Sequence, residues 1–435
     1  MYSQVIIKDL YKYLDQSVTL KGWVYNKRSS GQINFLEFRD GSGFLQIVAE
    51  RKNFSMDKWE TIDKIGLESS VVVTGEVKKH AKTNDLELHL TDITVIGEST
   101  DYPISKKEHG PDFLFENRDL YLRSKTPWAV LRIRDQVFRS ITNYFYEEGF
   151  IRFDSPVLQP TSCEDTTQLF GVKYYDSMMY LTQSGQLYLE AGIMSFGKAY
   201  DFGPVFRAEK SKTRNHLSEF WMMDAEMAFY DQQMNEDVQE AMVKRIIKDV
   251  LENCKEELKI LERNTEILEK CVTEKFIRIK HYEAKILCRD KLGVENVNIY
   301  EDMSTEEEIQ LGNYFKLPVF VEDYPFAVKS FYMKRYKDEN GVERAINADL
   351  IAPEEAREII GGSQREDNYD LLYSEIVNRG YNLEDYKWYL NIRKYGSVPH
   401  SGFGIGLERM VRWLSGVHHI RETIPFPRTT VLSRP

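Results

Sequence analysis

Apolar and polar residues alternate through most of the first hundred positions. VTLKGWVYNKR, INFLEFRD, GFLQIVAE, SSVVVTGEVKK and LELHLTDITVIG each carry the period-2 pattern of a strand, with turn signals such as DGSG at 40–43 between them. The polar stretch 99–116 holds Pro and Gly and reads as a linker. The period then changes. From about Trp128 the apolar positions Val130, Ile133, Val137, Ile141, Tyr144 and Phe145 form one helical stripe, which stops near Gly149. FIRFDSPVLQP follows as a strand whose Pro156 marks an edge or an interface. VFRAE and EFWMMDAEMAF read as two strands of a hairpin. The segment from Asp231 to about Asp302 is charged and helical, read as two or three helices on the outside of its domain. Strands return at 317–333 and 346–365. Near the C-terminus Gly402, Gly404 and Gly406 alternate before a helix with Leu407, Met410, Val411 and Leu414 on one side. The fold class predicted is α+β.

Five strands in about a hundred residues fit a small Greek-key barrel of the OB type over 1–98. The rest, 117–435, forms a second domain, in keeping with a length of 435 residues and a 42% hydrophobic content. A net charge of −11 excludes a general polyanion-coating protein, so any nucleic-acid contact is local and shaped. Cys163, Cys254, Cys271 and Cys288 lie far apart, without zinc spacing, and read as free thiols of a reducing compartment. No cleavable leader and no membrane-spanning run is seen, so the expectation is a soluble cytoplasmic protein.

The chemistry concentrates between the two hairpin strands. Arg207, Lys210, Lys212 and Arg214, with His216 beside them, place fixed cations on one loop. Arg offers a planar fork to phosphate oxygens. Glu209 can accept from an exocyclic amine, and Phe220 offers a flat face to a ring. Together they suggest ATP; taken alone, the charges would suit a solvated loop. The glycines from Gly402 permit close backbone approach, and Arg409 opens the helix behind them. Asp349 and Glu358 fall on a predicted strand pair where two carboxylates could face one another, the usual donors to Mg²⁺.

FRAE…RNHLSEF together with GFGIGLER resembles motifs 2 and 3 of the class II aminoacyl-tRNA synthetases. The resemblance implies an antiparallel catalytic sheet flanked by helices behind an OB barrel. It implies Arg207, Arg409 and Glu358 as catalytic residues. Arg207 would hold the α-phosphate and the substrate carboxylate, and Glu209 would read the adenine amine. Phe220 and Arg409 would sandwich adenine, with Arg214, His216 and Arg409 on the outer phosphates. Asp349 and Glu358 would hold the metal. The helix–strand–Pro156 unit resembles motif 1, which implies a homodimer. DGSGFLQIV resembles the anticodon-binding domain of the aspartyl/asparaginyl/lysyl subgroup, where Phe35 and Gln46 would meet the middle anticodon base with Arg28 nearby; the plain alternative is a core Phe35 and an exposed Gln46.

TQSGQLYLE matches the amino-acid site of the same subgroup, with Ser184 and Gln186 on the substrate and Glu164 in a loop over the α-ammonium group. Aspartate-specific members carry a Lys in SPQLYKQ where this chain has Leu189. An unpaired buried charge is costly, so the pocket should take a neutral amide. Arg365 would donate to the amide oxygen and Asp224 accept from its NH₂, although Asp is one methylene shorter than the Glu usual there. The implied function is ATP-dependent ligation of L-asparagine to tRNA(Asn) through an adenylate, releasing AMP and pyrophosphate. The rivals are an aspartate-specific relative of relaxed tRNA choice, an asparagine-synthesising relative without tRNA, and a non-catalytic RNA-binding paralogue.

Overall fold

A computed structural model describes residues 5–105, 107–163, 168–210 and 216–434. The chain divides between Pro111 and Asp112 into two units. The first is a closed barrel in the order β1 (Ser17–Ser30), β2 (Ile33–Arg39), β3 (Phe44–Glu50), β5 (Leu86–Gly97), β4 (Ser70–Lys79). The alternation seen in the sequence is the cause. Val18, Leu20 and Val24 of β1 and Val71, Val73 and Val77 of β4 are buried on one side, with Gly22 and Gly75 in the same register, while the alternate residues face out. Between β3 and β4 lies helix α1 (Met56–Lys64), an element without a strong sequence signal; the Ser55 hydroxyl accepts from the Lys58 N–H and caps it, and Ile62 is buried in the barrel core.

The second unit is built on one eight-stranded sheet. Its strands are β6 (Ile151–Arg152), β7 (Lys198–Phe206), β8 (Glu219–Ala228), β9 (Ile277–Lys280), β10 (Val319–Glu322), β11 (Asn347–Ala352), β12 (Arg357–Gln364) and β13 (His400–Gly406). They run in the order β9-β10-β11-β12-β13-β8-β7-β6. The six central strands pair antiparallel, as expected, and the edge strands β6 and β9 pair parallel to their neighbours. Helix α2 (Lys125–Glu147) buries the predicted stripe and gives way at Gly149, whose φ of +76° suits glycine.

Two stretches differ from expectation. The strand around Pro156 is interrupted. β6 ends at Arg152, and Leu158–Gln159 joins a separate three-stranded sheet, because proline has no N–H for a continuous ladder. The 231–302 stretch is not all external helix. Helix α4 (Gln232–Asn253), capped by the Asp231 carboxylate on the Met234 N–H at 2.9 Å, buries Met242, Val243, Ile246, Ile247 and Val250 in the main core. Strand β9 lies further along the same stretch. The charges there mask a narrow apolar stripe.

Period 2 also sorts the sheet into two faces. Met223, Ala225 and Met227 of β8, Phe403 and Ile405 of β13 and Leu350 of β11 join the helices in the core. The alternate positions, Asp224, Glu226, Gly402, Gly404, Gly361 and Asp349, fall on the opposite face. That face carries the site.

Candidate active site

A cavity of about 540 Å³ opens over this face. At one end Arg207, Glu209, His216, Phe220 and Arg409 line it; Ser184, Gln186 and Asp224 line it elsewhere, and Asp349 and Glu358 form an acidic wall. Thus the structure brings together ten positions that the sequence scatters from 184 to 409. Arg214 and Glu164 lie outside the described residues.

Arg207 is anchored by donation to the Gln183 carbonyl at 2.5 Å, with its guanidinium 5.6 Å from the Phe220 ring centroid. Arg409 comes from helix α6 (Leu407–Ser415) and donates to the Glu358 carbonyl at 2.7 Å and to Glu358 Oε2 at 3.2 Å. Burial, helped by the charges of Arg409 and Arg357, pushes His216 below its ordinary value. A neutral imidazole there suits a mixed donor and acceptor role.

The acidic wall depends on a bulge. β11 pairs with β12 in regular register from Asn347 to Leu350, and Ile351 then skips to Glu358. The bulge turns Glu358 toward the same side as Asp349. A Cβ placed on Gly361 would lie 3.3 Å from Glu358 Oε1 and 3.7 Å from Asp349 Oδ1, so both carboxylates converge on one cradle. Two oxygens aimed at one small space fit a hard cation that keeps several waters. Among the described residues no third ligand joins them in a ready-made metal cluster.

The same wall holds a residue to which the sequence reading gave no role. Lys329 Nζ lies 2.6 Å from Asp349 Oδ2, 3.5 Å from Asp302 Oδ1 and 3.8 Å from the Tyr324 ring centroid. Burial alone would lower this lysine, and the surrounding carboxylates reverse the effect, so the ammonium is held in its charged form. For Glu358, burial is likewise outweighed by Arg409 and Lys329, which keep it below the usual carboxylate range. The available signal is a single Lys between the apolar runs YPFAV and SFYM.

Gly404 lines the cavity, and both it and Gly402 also have close protein neighbours. They belong to the central strand β13, opposite Glu226 and Asp224 of β8. A Cβ on Gly402 would meet Glu226 Oε1 at 2.0 Å, and one on Gly404 would meet Asp224 Oδ1 at 2.6 Å. The missing side chains therefore make room for two buried carboxylates. Asp224 Oδ2 accepts from Ser184 Oγ and from the Gly185 N–H, both at 2.9 Å, at the start of helix α3 (Gln186–Phe196). No described residue donates to its Oδ1. Burial pushes Asp224 up to about 6.

Arg365 sits behind the lining, 5.2 Å from the centroid of Tyr332, a residue that does line the cavity. It donates to Glu226 Oε1 from Nη2 at 2.5 Å and from Nε at 3.1 Å, and to Ser363 Oγ from Nη1 at 2.6 Å. Its charge is thereby matched within the protein. Leu189 is also outside the lining. It is fully buried with Ile193, Ala199 and Ala228, on the side of α3 that packs against the sheet.

On the barrel, Arg28, Phe35 and Gln46 meet on one outer face. Arg28 stands 4.7 Å from the Phe35 centroid and donates to Gln46 Oε1 at 3.0 Å; Gln46 in turn donates to Glu87 at 3.0 Å. Phe35 is not a core residue: in β2 its neighbours Leu36 and Phe38 are the ones fully buried.

A family model described as tRNA synthetases class II (D, K and N) matches residues 110–430, and one described as an OB-fold nucleic acid binding domain matches residues 18–96. The chain belongs to the class II tRNA synthetases of the D, K and N group. It is 47% identical over 446 residues, 99% of each chain, to an asparagine–tRNA ligase of Streptococcus pyogenes. Its structure is similar to that of an asparaginyl-tRNA synthetase from Pyrococcus horikoshii complexed with asparaginyl-adenylate, with a TM-score of 0.94, 36% identity and full coverage of both chains. It is also similar to the asparaginyl-tRNA synthetase of Entamoeba histolytica in complex with asparaginyl-adenylate, with a TM-score of 0.85 and 31% identity over 97% of each chain. Among the described residues no helix is long and apolar enough to cross a membrane.

Proposed function

We propose that this protein ligates L-asparagine to tRNA(Asn) with ATP, through an asparaginyl-adenylate, releasing pyrophosphate and then AMP. One observation carries the substrate choice. The guanidinium that the resemblance implies for the amino-acid side chain, Arg365, is already neutralised by its two-point donation to buried Glu226. A second carboxylate, from aspartate, would find no unmatched cation there and would pay its full desolvation cost. A neutral amide carries no such penalty, and Asp224 Oδ1 remains available to accept from its NH₂.

The reaction needs no protein nucleophile. The substrate carboxylate attacks the α-phosphorus in line, a P–O bond to the bridging oxygen breaks, and pyrophosphate leaves. A terminal tRNA hydroxyl then attacks the mixed anhydride and AMP leaves. Arg207 aligns carboxylate and α-phosphate, while Arg409 offsets charge on the leaving phosphates and the neutral ring of His216 offers them a hydrogen bond. Glu209 and Phe220 hold the base. Catalysis is therefore positioning with charge compensation. Mg²⁺ held by Asp349 and Glu358 would supply further neutralisation of phosphate oxygens.

The second copy in a homodimer would cover the β6 edge, where Ile151 is exposed and pairing occurs on one side only. The barrel patch of Arg28, Phe35 and Gln46 would bind the anticodon, with Phe35 stacking on a base. The reaction is placed in the cytoplasm, where its substrates meet.

ATP–pyrophosphate exchange with asparagine and aspartate side by side tests the substrate. The expected result is a kcat/KM preference for asparagine of roughly 10²-fold or more. Comparable exchange with aspartate would favour the aspartate-specific rival. Phe35→Ala tests the barrel. Losing one base–aromatic stack should raise the KM for tRNA about tenfold and leave exchange unchanged, because Phe35 lies outside the barrel core. A loss of both activities would show that the residue supports folding instead.

A further inference from the structure

Behind the cavity lies a buried ionic cluster that the mechanism above does not use. Glu190 is fully buried on α3, one turn beyond Gln186. Its Oε2 accepts from Arg393 Nη2 at 2.5 Å and faces His400 Nε2 at 3.0 Å. Tyr389 donates its hydroxyl to both carboxylate oxygens, at 2.7 and 2.8 Å. Arg393 and Tyr389 come from helix α5 (Leu383–Lys394), and His400 opens β13. Burial alone would raise Glu190, and Arg393 and His400 outweigh it and hold the group well below the usual carboxylate range. A charged carboxylate clamped from two further elements is held in one orientation.

The remaining bond points at the cavity. Gln186 Nε2 donates to Glu190 Oε1 at 3.1 Å. An ionised carboxylate can only accept, so the amide of Gln186 has one allowed orientation. Its NH₂ faces Glu190, and its carbonyl oxygen is left for the cavity that Gln186 lines. No described residue donates to that oxygen. Without a neighbour that only accepts, an amide could flip and offer a donor instead.

We infer that Glu190 is a positioning residue that locks Gln186 as a hydrogen-bond acceptor for an N–H group of the amino-acid substrate. The inference rests on the asparagine reading and names how one contact of that site is fixed. The acceptor suits either N–H-bearing group of asparagine, its α-ammonium or its side-chain amide. It repels a carboxylate at the same point.

The test is ATP–pyrophosphate exchange by the full chain carrying Glu190→Gln, with thermal melting as the fold control. The isosteric amide keeps the volume and removes the charge that fixes Gln186. The KM for asparagine should rise about tenfold, the loss of one hydrogen bond to a charged or polar partner, while kcat and the KM for ATP change less than twofold. In a Gln186→Leu background, Glu190→Gln should add nothing further. Succinamic acid, which lacks the α-amino group, separates the two sources as an inhibitor of exchange. Weaker asparagine with unchanged succinamic acid assigns the contact to the ammonium. Weakening of both, with improved use of aspartate, assigns it to the amide. An unchanged KM in folded Glu190→Gln overturns the lock. So does an equal rise in the KM for ATP, which would mean general loosening. If Glu190→Gln does not fold, Gln186→Leu alone decides, since an unchanged asparagine KM there removes the contact. A wild-type enzyme that fails to prefer asparagine would sink the substrate reading and leave the lock to be judged with the amino acid it does use.

Discussion

Arg409→Ala should lower ATP–pyrophosphate exchange by about 10²–10³-fold, the loss usual when one group that stabilises transition-state charge is removed. Its two bonds, to the carbonyl and the carboxylate of Glu358, place the guanidinium at the border between the basic end and the acidic wall. There it can meet the phosphates and keep Glu358 ionised at the same time. The substitution leaves the fold intact. The side chain is one-third exposed, and α6 is held by Leu407, Met410, Val411, Trp413 and Leu414, all buried. Melting close to that of the wild type, with exchange lost, is the expected pair of results. Normal exchange in a folded variant would remove Arg409 from the site.

Local pattern was enough to find most of the frame. Val18, Leu20 and Val24 announce a strand by spacing alone, as Ile133, Val137 and Ile141 announce a helix, because one buried face needs one period. Arg207 and Arg409 stand out by residue type as well, and both line the cavity. What local pattern does not carry is which strand lies beside which. Glu226 meets Arg365, and Glu190 meets His400, only because β13 runs between β8 and β12 and α3 packs nearby. The glycines of β13 show the same limit. Their alternation is visible in the chain, but the carboxylates that fill the space above them belong to another strand. Leu189 shows how much the helix around a position matters. The string sets it against the lysine of the aspartate-specific pattern SPQLYKQ, and the turn of α3 directs it into apolar packing, while Gln186 reaches the cavity. The bulge beside Ile351 has no sequence signature, yet Glu358 joins Asp349 through it.

Lys329→Ala should have the other large effect, and on stability first. Lys329 and Asp349 are an almost buried pair, with side-chain exposures of 11% and 13%. Removing one partner of such a pair costs about 3–5 kcal/mol, because the other charge stays buried and unmatched. The pH dependence follows from Asp349. Burial raises it from its ordinary 3.8 to about 6, opposed by Lys329 and assisted by Glu358 and Asp302. A raised carboxyl means that ionisation works against folding. The group's penalty is absent below about pH 4, where both states are protonated, and grows as pH rises toward 6. Without Lys329 the carboxyl rises further and the penalty grows beyond that of the wild type. The melting deficit of Lys329→Ala should therefore be largest near pH 8 and shrink as pH falls toward 5. Lys329→Arg keeps the charge and should recover most of the stability. A deficit independent of pH, unrelieved by arginine, would mean that Lys329 contributes through its packing on Tyr324 and not through the acidic wall.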